Sequence, residues 1–240
     1  MKSKEGQYFD NIADVFDTHF NAYSKAAGAL RVKRRIELFF RHCRFKPGAK
    51  ILEIGTGTGE YAKGLSVYGS SLFCTDISFN MLNKAITKVT KQGSARFFVS
   101  DIGQLPSRDE TFDAVVGNAV LHHLDIKKAL PELFRVLKKG GVFAFTEPNM
   151  LNPQIFLQKH IRFLRKLAGD TDTETAFLRW QIRKIFESSG FKAVQVEPFD
   201  FLHPHTPGFI SGVVNSAGLA LEKLFLCREI AGSLLIRGKK

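Results

Sequence analysis

Residues 51–60 read Ile51-Leu52-Glu53-Ile54-Gly55-Thr56-Gly57-Thr58-Gly59-Glu60. An apolar run of strand length ends in three glycines at alternate positions, and a helix-length segment follows. Glycine in such a turn permits backbone angles that other residues avoid, and it leaves no Cβ between the peptide and a ligand. A plain strand-to-helix turn is the structural alternative, but three spaced glycines weaken it without improving its packing. The stretch therefore reads as a ligand-binding turn between a strand and a helix.

Outward from this turn the chain alternates short apolar runs with helix-length segments. Strands are expected at Lys50–Ile54, Ser71–Thr75, Ala95–Val99, Phe112–Gly117 and Val142–Thr146, and helices at 59–68, 79–92 and 126–138, with a looser connection at 102–110. Such alternation predicts βαβ units and a mostly parallel sheet with helices on both faces. The runs show little period-two alternation, as strands covered on both sides should. Before this core, residues 8–46 read as helical, with Phe9, Ile12, Phe16 and Phe20 three or four apart and Pro47-Gly48 as the stop. After it come helices near 154–167 and 174–188, a strand at Lys192–Val196, a Gly- and Leu-rich helical insertion over 208–228, and a last strand at Ser233–Arg237. The expectation is an open α/β sheet in a single domain over 1–240: an N-terminal helical cap (1–48), a ligand-binding core (49–150), and a helical elaboration with the last two strands (151–240).

The glycine spacing separates two ligand classes. A dinucleotide turn follows G-x-G-x-x-G, and the sixth position here is Glu60. A carboxylate at the opening of that helix competes with a pyrophosphate for the same positive helix end. A cationic or zwitterionic ligand suffers no such penalty, which argues against NAD. Asp76 ends the second strand, about one βα unit after the turn, where a carboxylate can accept hydrogen bonds from both hydroxyls of a ribose. Asp101 and Asn118 stand just past the third and fourth strands. The carboxyl ends of parallel strands share one rim, where open α/β sheets bind ligands. Taken singly, each aspartate is also an ordinary helix cap or turn residue.

These segments together resemble the class I S-adenosylmethionine-dependent methyltransferases. Glu53-Ile54-Gly55-Thr56-Gly57-Thr58-Gly59 is similar to that family's first motif, and further matches follow in order. They are Asp76-Ile77, then Asp101-Ile102 with Leu105-Pro106, then Phe112–Val116 followed by Asn118–Leu124, and Leu137-Lys138-Lys139-Gly140-Gly141. The resemblance covers roughly residues 50–150 and rests on the ordered set. It implies a seven-stranded Rossmann-like sheet whose last strand runs antiparallel beside the fifth, with S-adenosyl-L-methionine as cofactor. Gly55, Thr56, Gly57, Gly59, Asp76 and Ile77 would line the cofactor. Asp101 would accept from the adenine amino group, and the Ile102 N–H would meet a ring nitrogen. Glu53 would support the turn or the amino end of the methionine, near the carbonyls of Asn118 and Ala119.

For methyl transfer the protein's main task is alignment. A base is needed only for a protonated nucleophile, and His122 and His123 are the candidates, set against a packing role beside the turn. Glu147 and Asn149 after the fifth strand, His203 and His205 before the tail insertion, and Tyr8 in the front cap are candidates for the acceptor's side. For each of these, a turn or packing role is the alternative.

Composition limits the rest. Of 240 residues, 35 are Lys or Arg and 23 Asp or Glu, a formal net charge of +12 that favours anionic partners. Arg31–Lys46 carries seven basic residues against Glu37, and residues 159–192 carry eight; both read as solvated faces. Cys43, Cys74 and Cys227 show no disulfide or zinc spacing, so no metal is expected, and with no signal-like N-terminus the expected location is a reducing cytosol. The basic cap with the apolar stretch Val213–Leu226 suits peripheral contact with an anionic membrane. The combined expectation is methylation of a small-molecule or lipid-like acceptor at O, N or C. The alternatives are an RNA or protein methyltransferase using the basic surface, and a cofactor binder without turnover.

Overall fold

The computed structural model describes residues 4–20, 23–43, 45–68, 70–90, 95–168 and 175–240. Among these, strands β1 (Lys50–Ile54), β2 (Ser71–Asp76), β3 (Ala95–Val99), β4 (Phe112–Asn118), β5 (Leu137–Pro148), β6 (Lys192–Phe199) and β7 (Ser233–Lys239) form a seven-stranded sheet in the order β3-β2-β1-β4-β5-β7-β6. β1 to β5 pair in parallel, and β7 runs antiparallel between β5 and β6. The helices are α1 (Lys4–Ile12), α2 (Ala26–Cys43), α3 (Glu60–Leu65), α4 (Phe79–Val89), α5 (Ile126–Val136), α6 (Pro153–His160), α7 (Arg162–Ala168), α8 (Arg179–Ser188), α9 (Gly208–Leu221) and α10 (Phe225–Glu229).

Side chains of successive residues leave a strand on opposite faces, so each strand feeds two apolar layers. Ile51 joins Ile36, Phe39, Leu65 and Val116 on one face, while Leu52 and Ile54 join Val115, Leu133, Phe143 and Phe186 on the other. Phe143, Phe145 and Phe186 are each at most 1% exposed, and burying such a side chain stabilises by roughly 1.5–3 kcal/mol. This packing clamps β5 and fixes the residues at its end.

Several expected boundaries shift. β5 begins at Leu137, because the Lys138–Gly141 segment bulges between the pairs Phe112–Leu137 and Ala114–Val142 instead of forming a separate turn. The front cap is not one continuous helix: α1 gives way to a wide turn at Phe16–Phe20 before α2. The helix expected over 154–167 breaks at Ile161, and the insertion over 208–228 divides into α9 and α10. Residues 91–92 and 174, at the ends of two expected helices, and Arg44 of the basic segment lie outside the described residues.

Sheet order determines what shares the rim. β1 lies between β2 and β4, so crossovers leave it in opposite directions and open a crevice at its carboxyl end. The first residue of β7, Ser233, pairs with Pro148 and Phe199, the last residues of β5 and β6. The start of β7 therefore joins the carboxyl ends of the other strands on one edge.

Candidate active site

The turn after β1 holds Gly55, Gly57 and Gly59 at positive φ. A Cβ on Gly55 would lie 2.7 Å from Val120 Cβ, so the turn packs hard against the loop after β4. A Cβ on Gly59 would lie 2.7 Å from the Ala85 backbone, which brings α3 and α4 into close contact. Gly59 does not line the cavity, a correction to its expected place against the cofactor: it serves helix packing. At Gly57 the nearest atom, a Phe16 ring carbon, is 3.7 Å away, leaving bare backbone towards the cavity.

Asp76 closes this turn from the neighbouring strand. Its Oδ2 accepts from Gly57 N–H at 2.7 Å and its Oδ1 from Ser78 N–H at 2.9 Å. Burial pushes its pKa up, while the N–H groups of Ser78, Gly57 and Ile77 act against that shift. A carboxylate already holding the turn's N–H repels a phosphate at this position. Glu60, by contrast, pairs with Lys88 at 2.6 Å, which weakens the repulsion expected from it. What still argues against a dinucleotide is the departure of the turn from G-x-G-x-x-G at Glu60, not the charge of that residue.

Glu53 sits behind the turn, 3% exposed, and does not line the cavity. Its Oε2 accepts from Thr56 Oγ1 at 3.3 Å and lies 3.5 Å from Cys74 Sγ. Burial pushes its pKa up to about 8, so it is largely protonated at neutral pH and supports the turn from within. Thr56, Ile77 and Ile102 line the cavity. Asp101 lines it too, while its Oδ1 accepts from Gly103 N–H at 2.8 Å, the local turn role. Asn118 Oδ1 accepts from Thr146 Oγ1 at 2.6 Å, and Ala119 takes φ 50°, a left-handed angle held by its N–H bond to the Thr146 carbonyl at 2.7 Å. Strain of this kind in a non-glycine residue concentrates at ligand sites.

The end of β5 organises the loop after β4. Glu147 is 2% exposed; its Oε1 accepts from the N–H groups of Val120 and Leu121 at 2.9 and 2.8 Å, and its Oε2 meets His122 Nδ1 at 2.7 Å. Glu147 was expected to hydrogen-bond an acceptor; it lines the cavity, with both oxygens already accepting from the protein. With Nδ1–H directed to the carboxylate, the lone pair of His122 lies on Nε2. The His123 ring lies 4.0 Å from that of His122, tilted by 38°, and burial, then His122 and Lys159, pull its pKa down to about 2. So weak a base is a poor proton acceptor.

Of the other acceptor-side candidates, Tyr8, His203 and His205 line the cavity. Asn149 does not: it is wholly buried, donating to the carbonyls of Glu229 and Ala231 and accepting from Leu151 N–H. It ties the end of β5 to α10, a correction to its expected role.

Sequence reading also missed a cluster. Arg31 and Arg35, assigned above to a solvated face, line the cavity, and Arg35 is only 2% exposed. Both face Asp200, at 3.4 and 2.7 Å, and Arg35 donates to Ser233 Oγ at 2.8 Å. Burial works against the Asp200 charge, but Arg35 and Arg31 outweigh it and hold its carboxyl below the usual range. The usable signal was the i, i+4 spacing of two arginines, which puts both on one helix face, together with an aspartate just past a strand. The cavity that joins these groups has a volume of about 1080 Å³.

The sequence pattern of the methyltransferase-domain family matches residues 52–145. The chain is 29% identical over 175 residues to malonyl-[acyl-carrier protein] O-methyltransferase of Geobacter sulfurreducens, covering 69% of this chain and 64% of that one. It is 33% identical over 161 residues to demethylmenaquinone methyltransferase of Bacteroides fragilis, covering 65% and 63%. It spans 42% to 64% of the length of these and two other curated relatives. A possible histamine N-methyltransferase from Thermotoga maritima superposes with a TM-score of 0.67 at 20% identity, covering 98% of this chain and 99% of that one. The [4+2]-cyclase SpnF superposes with a TM-score of 0.73 at 18% identity, covering 100% and 96%. At such identities the two structures speak for the fold alone. Residues 52–145 match the methyltransferase-domain family, and the seven-stranded sheet is the Rossmann-like fold of S-adenosylmethionine-dependent methyltransferases.

Proposed function

We propose that this protein transfers a methyl group from S-adenosylmethionine to a small-molecule or lipid-like acceptor. The observation that carries the reading is a single cavity shared by two sets of groups. Residues from the ends of β1 to β4 supply a bare-backbone turn and the carboxylates Asp76 and Asp101, and residues from β5 to β7 and the helical caps supply the rest. These groups fit the cofactor: Asp76 suits a ribose, the acidic rim suits a cation, and Phe9 and Phe16 offer apolar cover. When bound, S-adenosylmethionine supplies a methyl group already activated on a sulfonium.

The chain's own residues then orient and deprotonate. His122 Nε2 takes the proton of an O–H, N–H or acidic C–H acceptor, while Glu147 holds the ring in the required tautomer and fixes the loop that carries it. His123, Phe9 and Tyr8 pack over this point and exclude water. The test is calorimetry with S-adenosylmethionine, followed by transfer of labelled methyl groups into fractions of a metabolite extract. Micromolar binding with label in the small-molecule or lipid fraction supports the reading. Label in RNA or protein, or binding without transfer to any fraction, overturns it.

An anionic membrane surface is the partner that fits the tail. Phe209, Val213, Phe225 and Leu226 on α9 and α10 are 66–88% exposed, Lys223 and Arg228 accompany them, and the net charge is +12. No helix among the described residues is long and apolar enough to cross a membrane. Co-sedimentation with phosphatidylglycerol vesicles at low salt, reduced by Phe209→Ser with Leu226→Ser, is the expected result. Failure of the wild type to sediment, or its self-association through this face, removes the membrane from the reading.

A further inference from the structure

The rim of the sheet is electrically divided. In sheet order, Asp101 follows β3, Asp76 ends β2, the glycine turn follows β1, Asn118 ends β4 and Glu147 stands near the end of β5. Beyond them, Ser233 opens β7 and Asp200 follows β6, and there the arginines of α2 enter the cavity. Asp76 and Asp101 thus lie in the half assigned to a cationic cofactor, and Arg31 and Arg35 meet Asp200 in the other, with Glu147 at its near edge held by His122 and the loop after β4.

Among the described residues, Arg31 and Arg35 pair with one carboxylate, Asp200, so this pair of cations outnumbers its anion by one. Arg34 on the same helix is matched separately by Glu222 at 2.7 Å. Lys25 Nζ, 3.2 Å from His205 Nδ1, adds a further cation at the cavity edge. His203 and His205 stay neutral near pH 7, because burial, then Arg31 for the first and Lys25 for the second, lowers both. An excess charge withdrawn from water is unfavourable until a partner compensates it.

Arg35 meets Asp200, Ser233 and the Arg31 carbonyl through both terminal nitrogens. The Arg31 side chain differs: its contacts to the Leu202 carbonyl and to Asp200 both run through Nη1. Nη2 and Nε remain as donors on a side chain that is 23% exposed and lines the cavity. Burial and then Arg35 draw the Arg31 pKa down to about 10, against the opposing pull of Asp200. Tyr23 and Tyr61 line the same region, and burial keeps both hydroxyls protonated as donors.

We infer that Arg31, backed by Arg35 and Tyr61, forms an oxyanion subsite that anchors a carboxylate or phosphate group of the methyl acceptor. The inference rests on the methyl-transfer reading for the word acceptor, while the anion site stands on the charge and geometry alone. From the end of β4 to the start of β7 is two strand spacings, roughly 10 Å. The anchored group is therefore a handle remote from the methylated atom, and the acceptor is a molecule with an acidic group about that far from its nucleophile.

The test titrates the full-length protein, saturated with S-adenosylhomocysteine, with decanoate, the neutral isostere decanamide, and decyl phosphate. Decanoate or decyl phosphate is expected to bind at least tenfold more tightly than decanamide. Arg31→Gln is expected to abolish that preference, while Lys33→Gln, an exposed charge on the same helix, leaves it intact. The tighter of the two anions identifies the acidic group. Equal binding of all three probes by the wild type, or a preference that survives Arg31→Gln, overturns the inference. Affinity for S-adenosylhomocysteine is measured alongside: its absence from the wild type sinks the methyl-transfer reading, and the anion preference is then read without it.

Discussion

The two halves of the rim are built differently. The half from β3 to β4 takes its cavity-lining groups from segments that run consecutively along the chain: the turn at 55–58, Asp76-Ile77, Asp101-Ile102 and Asn118-Ala119. The half from β5 to β6 joins Arg31 and Arg35 of α2, His122, Glu147, Asp200 and Ser233, which are separated by up to some two hundred residues. In the first half each group is delivered by the strand immediately before it, so local pattern and function coincide. In the second, function arises only where distant segments meet. A cofactor common to a family suits the first arrangement, and an acceptor peculiar to one member suits the second.

Four substitutions sharpen or break this division. The largest effect belongs to Glu147→Gln. The amide oxygen can still accept from Val120 and Leu121, but its NH2 group now faces Nδ1 and forces the proton of His122 onto Nε2. Turnover should fall roughly 100- to 10,000-fold, with cofactor affinity within threefold. Nitrogen NMR of the imidazole reports the tautomer change, and a full rate with the altered tautomer would remove His122 as base. Next comes Asp76→Ala, which deletes the proposed partner of the cofactor ribose together with the acceptor of Gly57 N–H. Calorimetry should show a loss of about 100-fold in cofactor affinity, corresponding to about 2.7 kcal/mol. An unchanged affinity would end the account of the first half.

Gly59→Ala tests packing within the same turn. The added methyl meets Ala85 backbone and the φ of 86° opposes it, so thermal unfolding should reveal a loss of about 2 kcal/mol. Because Gly59 does not line the cavity, the variant that remains folded should bind cofactor normally; a binding defect equal to that of Asp76→Ala would return it to the site.

The last effect is a slope. Glu53 in the unfolded chain ionises near 4.5, whereas in the fold it holds its proton to about 8. The folded state therefore binds more protons between those values, and stability falls as pH rises through that window, by at most about 1.4 kcal/mol per pH unit. Denaturant unfolding of Glu53→Gln between pH 5.5 and 7.5 should lack that slope. Parallel wild-type and variant curves would show that Glu53 is ionised in the fold.

How far the site could be read follows the same division. The strands and their parallel run were expected from the chain, because apolar runs and glycine turns are local signals, whereas the antiparallel last strand beside the fifth was expected only from the family resemblance. Boundaries failed where two local readings were equivalent. Gly140-Gly141 suits a turn before a strand as well as a bulge within it, and Ile161 carries no mark of a helix break. Gly59 looked like its two neighbours in the turn and was separated from them only by the approach of Ala85. Asn149 and Glu147 looked like acceptor ligands because polar residues past a strand end face the rim. Their partners, the carbonyls of Glu229 and Ala231 and the N–H groups of Val120 and Leu121, were invisible from sequence. Arg31 and Arg35 were misread because basic residues on an amphipathic helix usually face water, whereas these two turn to Asp200, Leu202 and Ser233.

The sequence alone determined the cofactor half: a strand, a turn without Cβ atoms and an acidic residue one unit later follow from backbone sterics and spacing, wherever the rest of the chain goes. Tertiary structure decided the acceptor half: the burial of two arginines over one carboxylate, the capture of Glu147 by a neighbouring loop, and the joining of both halves in one cavity. The reason is physical. Chain sterics act over a few residues and are written locally, whereas the energy of a charge depends on what surrounds it, and that is set only when distant segments pack together.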